Sequence, residues 1–337
     1  MKKVLVTGGA GYIGSITVVQ LLKADIEVLV LDNLSNSSKG VINRIEKLTG
    51  KKLQFIEGDI RDRDLLRSIF SQHSCNSVIH FAGLKAVGES EKQPLKYFDN
   101  NVTGSIVLFE EMVRASIRTL IFSSSATVYG NPGYACYQES TPLSPINTYG
   151  RTKLMVEDIL RDLKKANPQI QIALLRYFNP VGAHESGDIG EHPFGIPNNL
   201  MPFISQVAVG KREKLMIFGG DYLTPDGTGL RDYIHIEDLA TGHLAALNAL
   251  SENNSFITVN LGTGRPYSVL DMVHAFENAS GVKIPYEIVE RRPGDLPEYY
   301  ADAALAKKVL GWEAKLGIDR MCADSWRWSK NNPNGYS

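Results

Sequence analysis

Val4-Leu5-Val6-Thr7-Gly8-Gly9-Ala10-Gly11-Tyr12-Ile13-Gly14 runs from an apolar, strand-like segment through a glycine-rich turn into a helical pattern. Glycines at 8, 9 and 11 let the backbone turn sharply and approach a pyrophosphate with no Cβ in the way, while Gly14 lets the next helix pack closely on the strand. Exposed N–H groups and the positive end of the helix then face the anion. The letters satisfy G-x-G-x-x-G at Gly9, Gly11 and Gly14, and G-x-x-G-x-x-G at Gly8, Gly11 and Gly14. Alone, such a motif also fits an ordinary tight turn. A second apolar run, Val28-Leu29-Val30-Leu31, narrows the choice, because it ends in Asp32, near the offset at which an acidic side chain accepts hydrogen bonds from an adenosine ribose. A carboxylate there repels a 2′-phosphate, so NAD is expected over NADP.

Strands and helices alternate onward from this loop. Val41 to Leu48 reads as a helix closed by Gly50, Leu53 to Ile56 as a third strand, Leu65 to Phe70 as a helix, and Ser77 to Phe81 as a fourth strand that stops at Ala82-Gly83. A helix over Val102 to Ala115 and a fifth strand, Leu120-Ile121-Phe122, follow. The spacing predicts an α/β fold, a doubly wound and mainly parallel Rossmann sheet with helices on both faces and the ligand along its carboxyl edge. From about Asn179 the alternation weakens into polar, Pro- and Gly-rich stretches. This divides the chain into a nucleotide-binding domain, residues 1–178, and a smaller C-terminal α/β substrate-binding domain, residues 179–337.

With 337 residues the chain can bury a full core, and its formal net charge of −1 excludes steering by bulk charge toward nucleic acid or an acidic membrane. Small molecules are the expected partners. Cys75, Cys136 and Cys322 are scattered and form no C-x-x-C pair, which points to reduced thiols in a cytoplasmic protein and to no metal site. No apolar run reaches transmembrane length.

Several side chains carry chemistry. Asp59 stands at a strand end beside an adenine pocket, as a partner for the base amine or, equally, as a solvated turn carboxylate. His80, within an apolar strand, reads as a packed histidine. Lys85 can reach a diphosphate or simply be solvated. Tyr149 and Lys153 stand four apart at a helix start that leads into the helical run Leu154 to Leu163, and so share one face. A cation beside a phenol favours phenolate, and an oxidised nicotinamide pushes the same way, which makes a usable base near neutral pH. Ser125 can hydrogen-bond the same substrate oxygen.

Together the glycine loop, Asp32, Ser125 and Tyr-x-x-x-Lys resemble the extended short-chain dehydrogenase/reductases that act on nucleotide sugars. His80 to Ser90, Ser123 to Gly130, Leu174 to His184 and Gly229 to His235 narrow the resemblance to the branch that inverts C4 of UDP-hexoses, and it covers essentially the whole chain. The resemblance implies reversible interconversion of UDP-galactose and UDP-glucose through a 4-keto sugar, with tightly held NAD and with Tyr149, Lys153 and Ser125 catalytic. It implies cofactor contacts at Gly8, Gly11, Tyr12, Ile13, Gly14, Asp32, Asn33, Asp59, Ile60, Phe81, Ala82, Gly83, Lys85, Asn100, Ser125, Tyr149, Lys153, Tyr177 and Phe178. Substrate contacts follow at Lys85, Ser125, Tyr149, Asn179, Asn199, Leu200, Phe218, Arg231, Arg292, Asp295 and Tyr299. For the arginines a surface ion pair is the plain alternative.

Tyr299 matches the position that borders the sugar's C2 substituent, where bulk disfavours an N-acetyl group. The resemblance also implies a return of the chain to the first domain around residues 233–260, and a homodimer built from the helices near Val102–Ala115 and Leu154–Leu163. Three rivals stand beside this reading: a UDP-N-acetylhexosamine 4-epimerase, a nucleotide-sugar dehydratase or decarboxylase, and a non-catalytic NAD sensor. The second needs an acid after the strand-end serine, where this chain has Ala126 and Thr127, and the third needs no base.

Overall fold

The computed structural model describes residues 3–133, 135–251, 256–292 and 294–336. β1 (Lys3–Thr7) leads through the glycine loop into α1 (Tyr12–Lys23), which returns the chain to β2 (Glu27–Asp32). Val4 to Thr7 are all buried, as a strand covered on both faces requires. α2 (Gly40–Thr49), β3 (Gln54–Glu57), α3 (Arg63–Gln72) and β4 (Ser77–His80) repeat the unit. Gly50 closes α2 in left-handed backbone, at φ 67°.

α4 (Val87–Lys92), α5 (Pro94–Tyr97), a π-helical turn at Phe98–Thr103 and α6 (Gly104–Arg114) make a helical stretch that starts well before the apolar pattern at Val102. Pro94 at the first helical position explains the early start of α5. β5 (Thr119–Ser125), β6 (Cys136–Tyr137), α7 (Thr148–Ala166) and β7 (Gln171–Tyr177) follow. α7 begins at Thr148, just before Tyr149, because the Asn147 side chain caps it, accepting from the Gly150 N–H at 2.7 Å. Tyr149 and Lys153 therefore fall within the opening turns of a long helix.

The rest of the chain supplies β8 (Asn179–Val181), α8 (Leu200–Ala208), β9 (Leu215–Phe218), β10 (Leu230–His235), α9 (Ile236–Ser251) and β11 (Phe256–Leu261). After these come β12 (Pro266–Ser268), α10 (Val269–Ser280), β13 (Tyr286–Val289), β14 (Glu298–Ala301), α11 (Ala304–Leu310) and α12 (Ile318–Asn331). Seven parallel strands form the main sheet in the order β11-β7-β5-β4-β1-β2-β3. The order reverses between β1 and β4, so the carboxyl ends of these two strands open a crevice, and the glycine loop lies at its edge.

β11 enters this sheet from late in the chain, and α9 before it packs on α1. Apolar side chains cover both faces: Ile16, Val19, Leu239 and Leu247 on one, and Leu66, Leu108, Val156 and Leu160 on the other. A separate cluster with Met201, Ile204, Ile217, Phe276 and Met321 packs the second half, around the smaller sheets β12-β10-β14-β6 and β13-β9. Among the described residues no helix is long and apolar enough to cross a membrane.

Candidate functional site

The glycine loop is built for close approach. Gly8 has φ +71°, and a Cβ there would lie 2.7 Å from the Ala82 nitrogen; at Gly14 it would lie 2.2 Å from the Gly8 carbonyl oxygen. Any side chain at either position would break the contact of loop, helix and β4 end that shapes the crevice. A cleft opens over this loop, its wall formed by Gly8, Gly11, Tyr12, Ile13, Gly14, Asp32, Asn33, Ile60, Phe81, Ala82, Gly83, Lys85, Asn100, Tyr149, Lys153 and Tyr177. These residues come from seven separate stretches of the chain and meet along one sheet edge. The cradle, the acidic strand end and the small residues at Ala82-Gly83 fit a dinucleotide.

Asp32 also has a local task. Its carboxylate accepts from the Ala10 N–H at 3.0 Å, the Leu34 N–H at 2.9 Å and the Ser37 hydroxyl at 2.8 Å, tying the glycine loop to the loop after β2. A carboxylate has about four acceptor sites, so room for a ribose hydroxyl remains. Asp59 is placed differently: it does not line the cleft, although Gly58 and Ile60 do. Its carboxylate accepts from the Asn33 amide at 3.0 Å and from Arg61 at 2.8 Å, and the Arg61 guanidinium holds it down at about 2. Asn33 and Arg61 thus fix this carboxylate in the turn at the rim of the cleft.

Tyr149 and Lys153 share one face of α7, both nearly buried, and both line the cleft. In the chain itself the lysine's nearest partners are other groups than the phenol. Lys153 Nζ donates to the Ser123 carbonyl at 2.8 Å and lies over the Phe122 ring at 4.8 Å, while the Tyr149 ring centre is 5.9 Å away. Burial pushes the Tyr149 phenol well above the usual tyrosine range, and a hydrogen bond with Ser125 opposes this only in part. Burial likewise pulls Lys153 down to about 8, with Glu157 pulling the other way. Desolvation thus outweighs proximity: both ionic forms lose water on the same apolar face.

Ser125 is buried at the end of β5, where its Oγ accepts from the Thr127 N–H at 3.2 Å and lies 2.9 Å from the Thr127 hydroxyl. Ala126 and Thr127 bring no carboxylate to this strand end. Phe178 is buried against Tyr137 and Tyr299, with ring centres 6.4 and 5.2 Å away, and does not line the cleft. Tyr299 donates to the Ala126 carbonyl, beside Ser125, and pairs with Arg231 across β14 and β10.

A second cavity lies in the C-terminal half. Asn179, Asn199, Leu200, Phe218, Arg231, Arg292 and Asp295 all line it. Asp295 braces the guanidinium groups: Arg292 Nε donates to it at 2.8 Å, and Arg231 Nη2 stands 3.6 Å away. The Arg292 guanidinium carbon also lies 5.1 Å from the Phe218 ring centre. Two cations beside an aromatic ring suit an anion joined to a flat base. Tyr222 escaped sequence reasoning; it lines this cavity with its hydroxyl buried and without a hydrogen-bond partner among the described residues. Nothing in the polar run Asp221 to Gly229 marks it, since only the fold turns it inward.

Comparison with known proteins is consistent with this geometry. A family model described as GDP-mannose 4,6 dehydratase matches residues 5–325. A UDP-glucose 4-epimerase of Neisseria meningitidis serogroup C is 58% identical over 100% of this chain and 99% of its own length. That of Mus musculus is 55% identical with the same coverage. Among solved structures, a UDP-glucose 4-epimerase from Bifidobacterium longum in complex with NAD+ and UDP is 50% identical, superimposes with a TM-score of 0.95, and covers 99% of this chain and 100% of its own.

Proposed function

The chain belongs to the UDP-glucose 4-epimerase family of extended short-chain dehydrogenase/reductases, and on that premise we propose how its two cavities interconvert UDP-galactose and UDP-glucose by inversion at C4. The enzyme is an NAD-dependent isomerase. NAD⁺, held in the glycine-loop cleft, supplies a reversible hydride acceptor for C4 and a positive ring that favours the Tyr149 phenolate.

Tyr149 takes the proton from the sugar O4 and later returns it, while the Ser125 hydroxyl holds the same oxygen. Lys153, anchored on the Ser123 carbonyl, keeps a cation under the same wall. Arg231 and Arg292, braced by Asp295, grip the diphosphate with Asn179 and Asn199, and Phe218 covers the uracil. With its diphosphate fixed, the 4-keto sugar turns about that linkage and presents its other face. The carrying observation is that an acid/base tyrosine and its lysine stand in the same cleft wall as the phosphate cradle.

Tyr299, wedged between Phe178 and the Ala126 carbonyl, narrows the space at C2 and favours UDP-hexoses over their N-acetyl counterparts. The protein works in the cytoplasm on small molecules, with no nucleic-acid or membrane partner. It pairs as a homodimer through α6 and α7, where Ile106, Val113 and Met155 are exposed beside a groove lined by Phe109, Ile159 and Leu163.

The test is conversion of UDP-galactose to UDP-glucose by purified protein without added cofactor. Wild type should turn over, and Tyr149→Phe should lose at least about 10²-fold, the lower end for a positioned acid/base. In the same assay UDP-N-acetylglucosamine should react far more slowly; equal rates would remove Tyr299 as the determinant. No turnover even with added NAD⁺ would overturn the epimerase reading.

A further inference from the structure

Glu191 belongs to neither set of expected site residues, yet it lines the dinucleotide cleft and bonds a residue of each cavity. One carboxylate oxygen, Oε1, accepts from Lys85 Nζ at 3.1 Å and from Asn199 Nδ2 at 3.1 Å. Lys85 lines the dinucleotide cleft and Asn199 the sugar-nucleotide cavity, so a single atom joins the two.

The backbone under this side chain is pinned. Trp328 Nε1 donates to the Glu191 carbonyl at 3.0 Å. The Tyr336 hydroxyl both accepts from the Gly190 N–H at 3.1 Å and donates to the Gly190 carbonyl at 2.8 Å. A Cβ at Gly190 would lie 2.4 Å from the Trp328 ring, so the segment lies flat on α12. The C-terminal turn thus serves the site: it holds the chain that carries Glu191.

We propose that Glu191 is a positioning residue, which presents Lys85 and Asn199 together to one diphosphate that spans the cavities. This rests on the epimerase reading above. A lysine and an asparagine amide from distant segments each lose rotamer freedom when they grip a ligand, and an acceptor that already holds both removes that cost from binding. The hydride and proton steps occur at Tyr149, so the effect falls on binding rather than on chemistry.

The experiment measures the Kd of UDP by calorimetry, and kcat and KM with UDP-galactose, for wild type, Glu191→Ala and Glu191→Gln. The alanine variant should raise both Kd and KM about 10-fold, the size expected for lost charge-assisted hydrogen bonds, with kcat within about threefold. Glutamine retains an oxygen that accepts from both donors and should restore most of the binding. Should the alanine variant lose thermal stability, Glu191→Met fills the same space without an acceptor and is read by the same two constants. Kd and KM within about twofold of wild type, or a fall in kcat alone, would overturn the proposal. Failure of the wild-type protein to bind UDP would instead overturn the epimerase reading itself.

Discussion

His80 is fully enclosed, with Thr7 Oγ1 at 2.7 Å from Nδ1 and Ser105 Oγ at 2.9 Å from Nε2. Because the Ser105 hydroxyl donates to the Asn101 carbonyl, its oxygen accepts from Nε2–H and leaves Nδ1 to accept from Thr7. The ring is a packed histidine, as its apolar strand predicts, and it ties β4 to the end of β1. Burial, aided by Lys153, holds His80 down at about 3, and burial holds His243 down at about 4. Between those values and the usual 6.5 the unfolded chain binds protons that the folded chain does not, so stability rises with pH and is lost as pH falls below 6.5. Urea unfolding at pH 7.5 and 5.0 should differ by roughly 2 kcal/mol for each buried ring, and His80→Gln should remove only the His80 share; an equal slope in the variant would refute the assignment. Tyr149 and Lys153 were legible because their partnership is local, four residues on one helix. The direction of the Tyr149 shift was not, since it depends on how much water the rest of the fold removes.

α7 carries the catalytic pair, and a buried network fixes it in place. Arg176 on β7 donates to Glu157 on α7 through Nε at 2.9 Å and Nη2 at 2.6 Å, with both side chains almost wholly enclosed. Ser124 at the end of β5 donates to the same carboxylate at 2.6 Å, and Arg176 reaches the Tyr129 hydroxyl, which donates to Asn260 on β11 at 2.6 Å. Arg176→Met leaves Glu157 charged and without its main partner, which typically costs about 3–5 kcal/mol. Chemical denaturation should read a loss of that order, and adding Glu157→Met should recover part of it; a single-variant loss under about 1 kcal/mol would show that the pair does not hold the helix. Position along the chain does not announce this pair. Glu157 lies in a helix rich in surface charge and Arg176 in a strand, and only the packing of α7 on β7 and β5 turns both inward.

At the scale of the molecule, the apolar groove beside α6 and α7 bears on assembly. Sedimentation should find a dimer, and Ile106→Glu or Val113→Glu should shift it toward monomer at micromolar concentration without loss of helix content; an unchanged sedimentation coefficient would place the interface elsewhere. The sequence by itself determined the sheet class, the glycine cradle, Asp32 and the Tyr149–Lys153 face, because each is written in a period or spacing short enough for local backbone geometry to enforce. Tertiary structure alone decided that Arg176 meets Glu157, that Tyr222 faces the second cavity, and that Glu191 reaches residues of both cavities. Those outcomes depend on segments that meet only when the chain has folded. Burial and hydrogen-bond satisfaction are set at that meeting, by neighbours far away in sequence.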